Sequence, residues 1–145
     1  MLENLIWGLP TMVLCLLLQA ILVVYAMRFY VRHEHRIKDD SFWSSLLVLT
    51  SVMVILVVGN LSQVAIWAML FLLLGEFADF HEAFYHSMVN FATLGYGDFV
   101  MSDKHKLLGP LEAVNGVLMI GVTTAMVLAA LQDALKKPIM KMRNE

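Results

Sequence analysis

The segment Phe91–Asp98, FATLGYGD, separates two long hydrophobic stretches of this chain and has neither helical nor strand periodicity. Glycines occupy alternate positions, Gly95 and Gly97, on either side of Tyr96, and an acidic residue follows. Glycine permits backbone dihedrals that other residues resist. The segment is therefore a place where the chain changes direction, and the flanking sequence indicates the environment in which it does so.

The composition of the chain is that of a membrane protein. Of its 145 residues, 60% are hydrophobic and 15% are charged, whereas soluble domains average about 45–50% and about 25%. The apolar residues form long runs separated by short charged patches, which is typical of membrane spans. The net charge of -2 and the lack of a basic stripe with interleaved aromatic residues argue against a nucleic-acid partner. The single cysteine, Cys15, excludes an internal disulfide framework.

Three hydrophobic runs are long enough to cross a hydrocarbon core of about 30 Å. They are Leu5–Met27, Phe42–Gly75 and Leu111–Leu131. The second run contains Gly59 but is predicted to be one tilted or protruding helix, because its two halves would each be too short to cross. The first run lacks the basic n-region of a cleaved signal peptide and is predicted to be retained.

Positive charges orient these spans. They follow the first and third spans and are sparse between the second and the third; those that follow a span are Arg28, Arg32, Arg36, Lys38, Lys136, Lys137, Lys141 and Arg143. By the positive-inside rule these segments are cytoplasmic. In the cell membrane, the N-terminus is then outside, the C-terminus is cytoplasmic, and the segment from Gly75 to Pro110 begins and ends on the outer side.

A short helix is predicted within this outer segment. Asp79 and Glu82 fit an acidic capping box, and neither Gly nor Pro interrupts Phe80–Phe91. A helix of about 12 residues is about 18 Å long, too short to cross the bilayer. It would enter from outside and end partway, so that residues 92–98 carry the chain back. Non-helical backbone at that depth is tolerated only where protein buries it or where it lines a wet cavity.

The alternate glycines indicate what this backbone does. They would allow the carbonyl groups of Thr93, Leu94, Gly95 and Tyr96 to point to one side. A row of carbonyl oxygens can replace the hydration shell of a cation, and the negative end of the short helix dipole would face the same ion. One chain supplies one such segment, so a closed ring requires an oligomer with cyclic symmetry.

Residues Thr93–Asp98, TLGYGD, resemble the signature sequence of potassium channels, with Leu94 where Val or Ile is usual. The order of outer helix, pore helix, filter and inner helix is also similar, over about residues 65–131. The resemblance implies a homotetramer that forms a potassium-selective pore. The filter that it implies consists of Thr93, Leu94, Gly95, Tyr96 and Gly97, with K⁺ on the carbonyl oxygens of the first four.

The predicted fold is that of an all-α membrane protein with three transmembrane helices, a re-entrant pore helix and a selectivity-filter loop, assembled as a homotetrameric pore. Residues 1–41 form an N-terminal helix and basic loop, which the simplest two-helix members of the family lack. Residues 42–132 form the channel pore domain. Residues 133–145 form a basic tail that is expected to contact anionic lipids of the inner leaflet. No cofactor is expected besides the permeant K⁺.

Further residues receive roles around the filter. Asp98 would stand at the outer mouth, where a ring of acids concentrates cations, or would be a solvated turn residue. Gly121 resembles the hinge glycine of the family's inner helix. Thr123 and Thr124 resemble its cavity-lining hydroxyls, and they fit hydrogen bonds to their own helix equally well. His86 lies five residues from His81, so the two face different directions and form a poor metal-binding or haem pair.

Polar residues inside the apolar runs are predicted to connect helices, and these are Gln19, Asn60 and Gln63. Glu112 and Asn115 lie one turn apart near the outer end of the third span. They fit either capping and packing or a polar link to the pore helix or filter.

Two other functions fit the same sequence. A weakly selective cation channel is one, because Ala92 and Leu94 depart from the family's filter pattern. A non-conducting membrane subunit that regulates another complex is the other, suggested by the additional N-terminal helix. An enzyme is not predicted, because the chain has no Ser/His/Asp or Cys/His arrangement, zinc-ligand spacing or phosphate-binding loop.

Overall fold

The structure is a computed structural model that describes residues 1–33 and 42–143, and describes the side chains of residues 1–33 and 43–134. The basic loop at 34–41 and the side chains of the basic tail from residue 135 onward, which carry part of the orientation and lipid predictions, lie outside the described residues. The described helices are α1 (Leu2–Arg32), α2 (Phe42–Leu73), α3 (Phe80–Phe91) and α4 (Leu108–Arg143).

Three of these helices are long and apolar enough to cross a membrane, over Leu2–Arg32, Trp43–Leu73 and Leu108–Ala134. The three predicted spans are therefore confirmed. Helices α1 and α4 extend beyond the apolar runs that predicted them. The second is one uninterrupted helix through Gly59, as expected. No strand occurs in the part of the chain that the structure describes, so the all-α class of the membrane protein is also confirmed.

Helices α1 and α2 are antiparallel neighbours. A Cβ added to Gly59 would lie 2.4 Å from a methyl carbon of Leu22, so glycine permits the two helices to approach closely at this level. One turn away, Nε2 of Gln63 donates a hydrogen bond to Oε1 of Gln19 at 2.7 Å.

Helices α1 and α4 run parallel to each other along their full shared length. Contacts at three levels join them, Gly8 with Leu111, Gln19 with Thr123 and Tyr30 with Ala130. The N-terminal helix thus packs against the second and fourth helices of its own chain, a question that the sequence leaves open.

A group of polar side chains lies midway along the three long helices. Nε2 of Gln19 donates to Oγ1 of Thr123 at 3.1 Å, and Nδ2 of Asn60 donates to the same oxygen at 3.2 Å. With the bond from Gln63 to Gln19, these contacts confirm the interhelical role predicted for the three amides. Each such bond contributes about 0.6–2 kcal/mol in a membrane.

Helix α3 lies against α2 and α4 and ends well below their outer ends. Phe91, its last residue, contacts Gly116, which is about 12 Å along α4 from Leu108 at 1.5 Å per residue. The chain then returns beside α3, because residue 98 is hydrogen-bonded to residue 85 and residue 99 to residue 86. The re-entrant path predicted for this segment is therefore present.

Candidate functional site

The N-terminus of α3 is capped as predicted. Oδ1 of Asp79 accepts a hydrogen bond from the backbone N–H of Glu82 at 2.9 Å. The helix comprises the 12 residues Phe80–Phe91, the predicted bounds. At about 18 Å it is too short to reach the opposite surface, so its C-terminal carbonyls lie within the protein.

The C-terminus of α3 forms a Schellman motif around a strained residue. The N–H of Leu94 donates to the carbonyl of Val89 at 2.8 Å, and that of Thr93 donates to Asn90 at 2.8 Å. The motif holds Thr93 at a φ of 60°. A β-branched residue in this left-handed region costs about 1–3 kcal/mol. Helix α2 ends in the same motif with Gly75 at the equivalent position, so the threonine is retained against a conformational penalty.

Residues 93–98, which lead the chain back from the end of α3, are called the return segment. Along this segment, residues with positive φ alternate with residues whose φ is not positive. Thr93, Gly95 and Gly97 have φ values of 60°, 57° and 74°, and the two residues between them do not have positive φ. In a strand, where every φ is negative, successive carbonyls point to opposite sides. Alternating handedness is the condition under which they turn to the same side. The two glycines predict this backbone, and the structure extends it to Thr93.

Asp98 ties the outer end of the return segment to α3. The hydroxyl of Tyr85 donates to Oδ2 of Asp98 at 2.7 Å, and the N–H of Phe99 donates to Oδ1 at 3.1 Å. The bond from Tyr85 lowers the pKa of the Asp98 carboxyl below its usual range and raises the pKa of the Tyr85 phenol. The exposed carboxyl at this end therefore stays charged at neutral pH.

His86, the next residue of α3, binds the same loop. Its Nδ1–H donates to the carbonyl oxygen of Phe99 at 3.0 Å, which fixes the tautomer because a carbonyl can only accept. Its Nε2 then accepts from Nδ2 of Asn90 at 2.8 Å. Burial lowers the pKa of His86 and favours this neutral form. The only sequence signal for the role is the four-residue spacing from His86 to Asn90 on one helix face.

We expect replacement of Tyr85 by phenylalanine to raise the pKa of Asp98 toward its ordinary value, because the donor that favours the charged form is removed. In the wild type, stabilisation by this bond is present above the ordinary pKa of an aspartate and is lost as pH falls through the lowered one. A ¹³C NMR titration of the Asp98 carboxyl measures the change. Tyr25→Phe, on the exposed face of α1, is the control, and an Asp98 titration unchanged by Tyr85→Phe contradicts the prediction.

Behind α3, Glu112 of α4 is fully buried and forms a short hydrogen bond with Ser87 of α3. The Ser87 hydroxyl also lies 2.8 Å from the carbonyl oxygen of Val64 in α2. Three helices thus meet at one side chain, and for Glu112 the structure supports the predicted polar link to the pore helix. Asn115 is fully buried too, but its amide has no hydrogen-bond partner among the described residues.

Gly116 permits the closest backbone contact between α3 and α4. A Cβ at this position would lie 2.0 Å from the carbonyl oxygen of Phe91 and 2.8 Å from its carbonyl carbon. No larger residue fits without displacing the end of α3, which is the start of the return segment. The sequence contains no signal for this role, because glycine is frequent throughout membrane helices.

The predicted inner-helix residues lie farther along α4. The helix is continuous through Gly121, and a Cβ there would meet open space. The Thr123 hydroxyl faces α1 and α2 through its bonds with Gln19 and Asn60. Thr124 donates to the carbonyl of its own helix at Ile120, at 2.9 Å. Neither hydroxyl bonds to the return segment of the described chain.

The structure therefore gathers the residues of the return segment, 93–98, with two side chains of α3, Tyr85 and His86, that hold its outer end. Among the side chains that the structure describes, residues 1–33 and 43–134, no group of three or more His, Cys, Asp or Glu could hold a metal ion.

Comparison with known proteins identifies a family. The family model described as an ion channel matches residues 53–133, which contain α2 from Met53 onward, all of α3, the return segment and α4 as far as Asp133. No curated protein and no solved structure matches the chain. Helix α1 lies outside the matched region.

Proposed function

This chain belongs to the ion channel family, whose model covers more than half of it, and on that premise we propose that it is a potassium-selective channel subunit. Four copies surround a central pore and let K⁺ move passively down its electrochemical gradient. The chain is a membrane protein with three candidate spans. The proposal adds the ion, the number of copies, and insertion in the cell membrane with the N-terminus outside.

The observation that carries the proposal is the alternating backbone of residues 93–97, with positive φ at every second position. Such a backbone supports stacked K⁺ sites made by the carbonyls of Thr93, Leu94, Gly95 and Tyr96, because carbonyl oxygens can replace the ion's hydration shell. The Thr93 hydroxyl adds an oxygen at the inner end. A functional need for this oxygen explains why a threonine has a φ of 60° here, whereas a glycine, Gly75, occupies the equivalent position at the end of α2.

Two electrostatic features support a cation pathway. The C-terminus of α3, with its partial negative charge, lies at the inner end of the segment. The Asp98 carboxylate, held ionised by Tyr85, lies at the outer end. A ring of four such carboxylates would raise the local concentration of cations at the mouth. Binding at several adjacent sites then lets an entering ion displace the one ahead of it.

The exposed side chains support assembly into a ring. Leu94 is 53% exposed and Tyr96 is 65% exposed in the single chain. Three outward apolar residues of α4, Val114, Val117 and Ile120, are also exposed on the helix that follows the filter. One return segment cannot surround an ion, so cyclic copies that cover these surfaces are required. The hinge at Gly121 and the cavity hydroxyl of Thr124 stay predictions within this proposal, whereas the Thr123 hydroxyl, predicted with them, bonds to Gln19 and Asn60 between the long helices.

The test is current through purified protein in planar bilayers with K⁺ on one side and Na⁺ on the other. We expect a reversal potential that moves by about 60 mV for each tenfold change in K⁺. Gly95→Ala is expected to abolish the current, because a side chain is strained at a φ of 57°. Gly75→Ala imposes similar strain at a φ of 74° outside the filter and should leave selectivity intact.

Other outcomes identify the alternatives. A reversal potential that K⁺ and Na⁺ set equally indicates a weakly selective cation channel. Absence of current, combined with a monomeric mass in detergent, indicates a non-conducting subunit. Wild-type current in Gly95→Ala contradicts the carbonyl filter.

A further inference from the structure

His105 lies in the turn between the return segment and α4, on the same side of the molecule as Asp98. Its N–H donates to the carbonyl of Ser102 at 3.1 Å, and its carbonyl accepts from the N–H of Leu108, the first residue of α4, at 2.9 Å. The residue is only 3% exposed. A buried imidazole in an outer loop needs polar partners, and here they come from two other elements of the fold.

The first partner is Glu76, which follows the end of α2. Oε1 of Glu76 lies 2.5 Å from Nδ1 of His105, and the N–H and hydroxyl of Ser102 donate to the same carboxyl at 2.6 and 2.7 Å. Burial opposes ionisation of Glu76, but the bonds from Ser102 and His105 outweigh it and lower the pKa of the carboxyl. Glu76 therefore accepts, and Nδ1 is the nitrogen that carries the proton in neutral His105.

The second partner is Glu3, in the first turn of α1. Nε2 of His105 lies 3.7 Å from Oε1 of Glu3. This nitrogen is buried and has no hydrogen-bond partner among the described residues. With the proton on Nδ1, the lone pair of Nε2 faces a carboxylate, which is unfavourable. A second proton on Nε2 would convert that contact into a charge-assisted hydrogen bond.

We infer that His105 is a proton sensor at the outer face, and that its protonation adds a direct bond from this loop to Glu3 of α1, beside the existing bond of His105 to Glu76 and the existing pair of Lys104 with Glu3. The chemical ligand is H⁺, the site is Nε2, and the two carboxylates that recognise the charged form are Glu3 and Glu76. This gives α1 a regulatory role that two-helix pores cannot have. The inference rests on the proposed function only for its effect on current.

The turn that holds His105 also carries three charged side chains. Lys104 is 64% exposed and contacts Oε1 of Glu3 at 2.9 Å, so it competes with His105 for that carboxylate. Asp103 and Lys106 pair with each other at the exposed surface, at 3.1 Å. Two carboxylates, one on α1 and one after α2, thus contact the two nitrogens of the imidazole, at 3.7 and 2.5 Å.

Protonation would restrict the loop that leads out of the filter. Residues 98–107 connect Asp98 directly to the turn that holds His105. When His105 bridges Glu3 and Glu76, a buried contact with α1 is added to the exposed one that Lys104 already makes with Glu3, while Tyr85 holds the other end of the loop at α3. A fixed outer loop preserves the conducting filter, so acid on the outer side increases the open fraction.

The experiment measures K⁺ current while pH is varied on one side of the bilayer at a time, between about pH 8 and about pH 5.5, where imidazoles titrate. We expect the steady current to rise about fivefold on acidification of the side that Asp98 faces. In parallel, ¹⁵N NMR of labelled histidine in lipid nanodiscs follows protonation of Nε2 in His105, independently of conduction.

Variants separate the sensor from a structural role. His105→Asn keeps a donor near the Nδ1 position and cannot titrate, so its current should not change over this pH range. Glu3→Gln, at a half-exposed side chain, removes the second carboxylate and should move the midpoint of the response toward acid. His81→Asn removes an exposed imidazole of α3 and should retain the wild-type response.

A wild-type pH response in His105→Asn, or an unchanged midpoint in Glu3→Gln, overturns the inference. If the protein does not conduct K⁺ at all, the NMR titration still decides. A midpoint in the wild type that moves with Glu3→Gln supports the sensor, and a midpoint insensitive to Glu3 rejects it. Conversely, a K⁺-selective current without pH dependence retains the proposed function and rejects the sensor alone.

Discussion

Gly116→Ala is expected to prevent assembly of a stable channel. The added Cβ would lie 2.0 Å from the carbonyl oxygen of Phe91 and 2.9 Å from its Cα. These are backbone atoms of the last residue of α3, so relief requires moving the helix end from which the return segment begins. Overpacking usually lowers the free energy of unfolding by about 1–3 kcal/mol. Because this clash is so close and involves rigid backbone, we expect a loss of about 3 kcal/mol or more. Mass measurement and thermal unfolding in detergent report the loss.

Gly121→Ala provides the matched control on the same helix. Its Cβ would meet nothing within 4 Å in the described chain, and alanine is favoured over glycine in a helix by about 1 kcal/mol. We expect oligomer yield and unfolding temperature equal to or slightly above those of the wild type. A Gly116→Ala protein that matches this control in both measurements would show that α3 and α4 do not pack as closely as described.

The second large effect is expected at Ser87, where three helices meet. Ser87→Ala removes the short hydrogen bond to the buried Glu112 carboxyl, and it removes the hydroxyl that contacts the carbonyl of Val64. Stripping a buried carboxyl of its partner costs about 2–4 kcal/mol. We expect the free energy of unfolding in lipid or detergent to fall by that amount, with early loss of the filter conformation.

The double variant Ser87→Ala, Glu112→Met distinguishes this cause from a packing defect. Methionine has a similar volume and no group that requires a hydrogen bond, so most of the lost stability should return. Ser62→Ala is the control, because that serine is exposed and bonds only to its own helix at Val58. If the double variant is less stable than Ser87→Ala, the buried polar pair is not the origin of the effect.

The path of the chain could be predicted because the bilayer imposes local rules. The three spans follow from the length of the apolar runs. The 12 residues of α3 follow from the cap at Asp79 and from the absence of Gly and Pro in the residues after it, and their number makes the helix too short to cross. The positive φ values at Gly95 and Gly97 follow from the conformational freedom of glycine, which is a property of the residue itself.

Thr93 shows where such local reasoning ends. Its side chain disfavours a positive φ, so the residue alone predicts an ordinary conformation. The structure places it at the left-handed position of a Schellman motif because α3 ends at Phe91, two residues earlier, and its last carbonyls need partners. The alternation of the backbone therefore begins at Thr93, two positions before the first glycine.

The roles of Gly116, His86 and Ser87 depend on contacts between helices. Gly116 and Gly121 are five residues apart in the same apolar helix, yet one touches backbone and the other meets open space. Their local sequences do not distinguish them, because helix crossing points depend on residues far apart in the chain. The same reason hides the bond from His86 to Phe99 and the bond from Ser87 to Glu112.

The need to keep unpaired backbone beside water thus determines the path of the chain, and packing determines the contacts between its helices. The number of spans, the short re-entrant helix and the exposed filter backbone follow from residue type and spacing, because lipid allows unpaired backbone only beside water. How the four helices meet decides which side chains hold that backbone in place. It also decides that α1 contacts the other long helices through Gln19 and the outer loop through Glu3. Those contacts are set by the complementary shapes of non-adjacent helix surfaces, which no local pattern encodes.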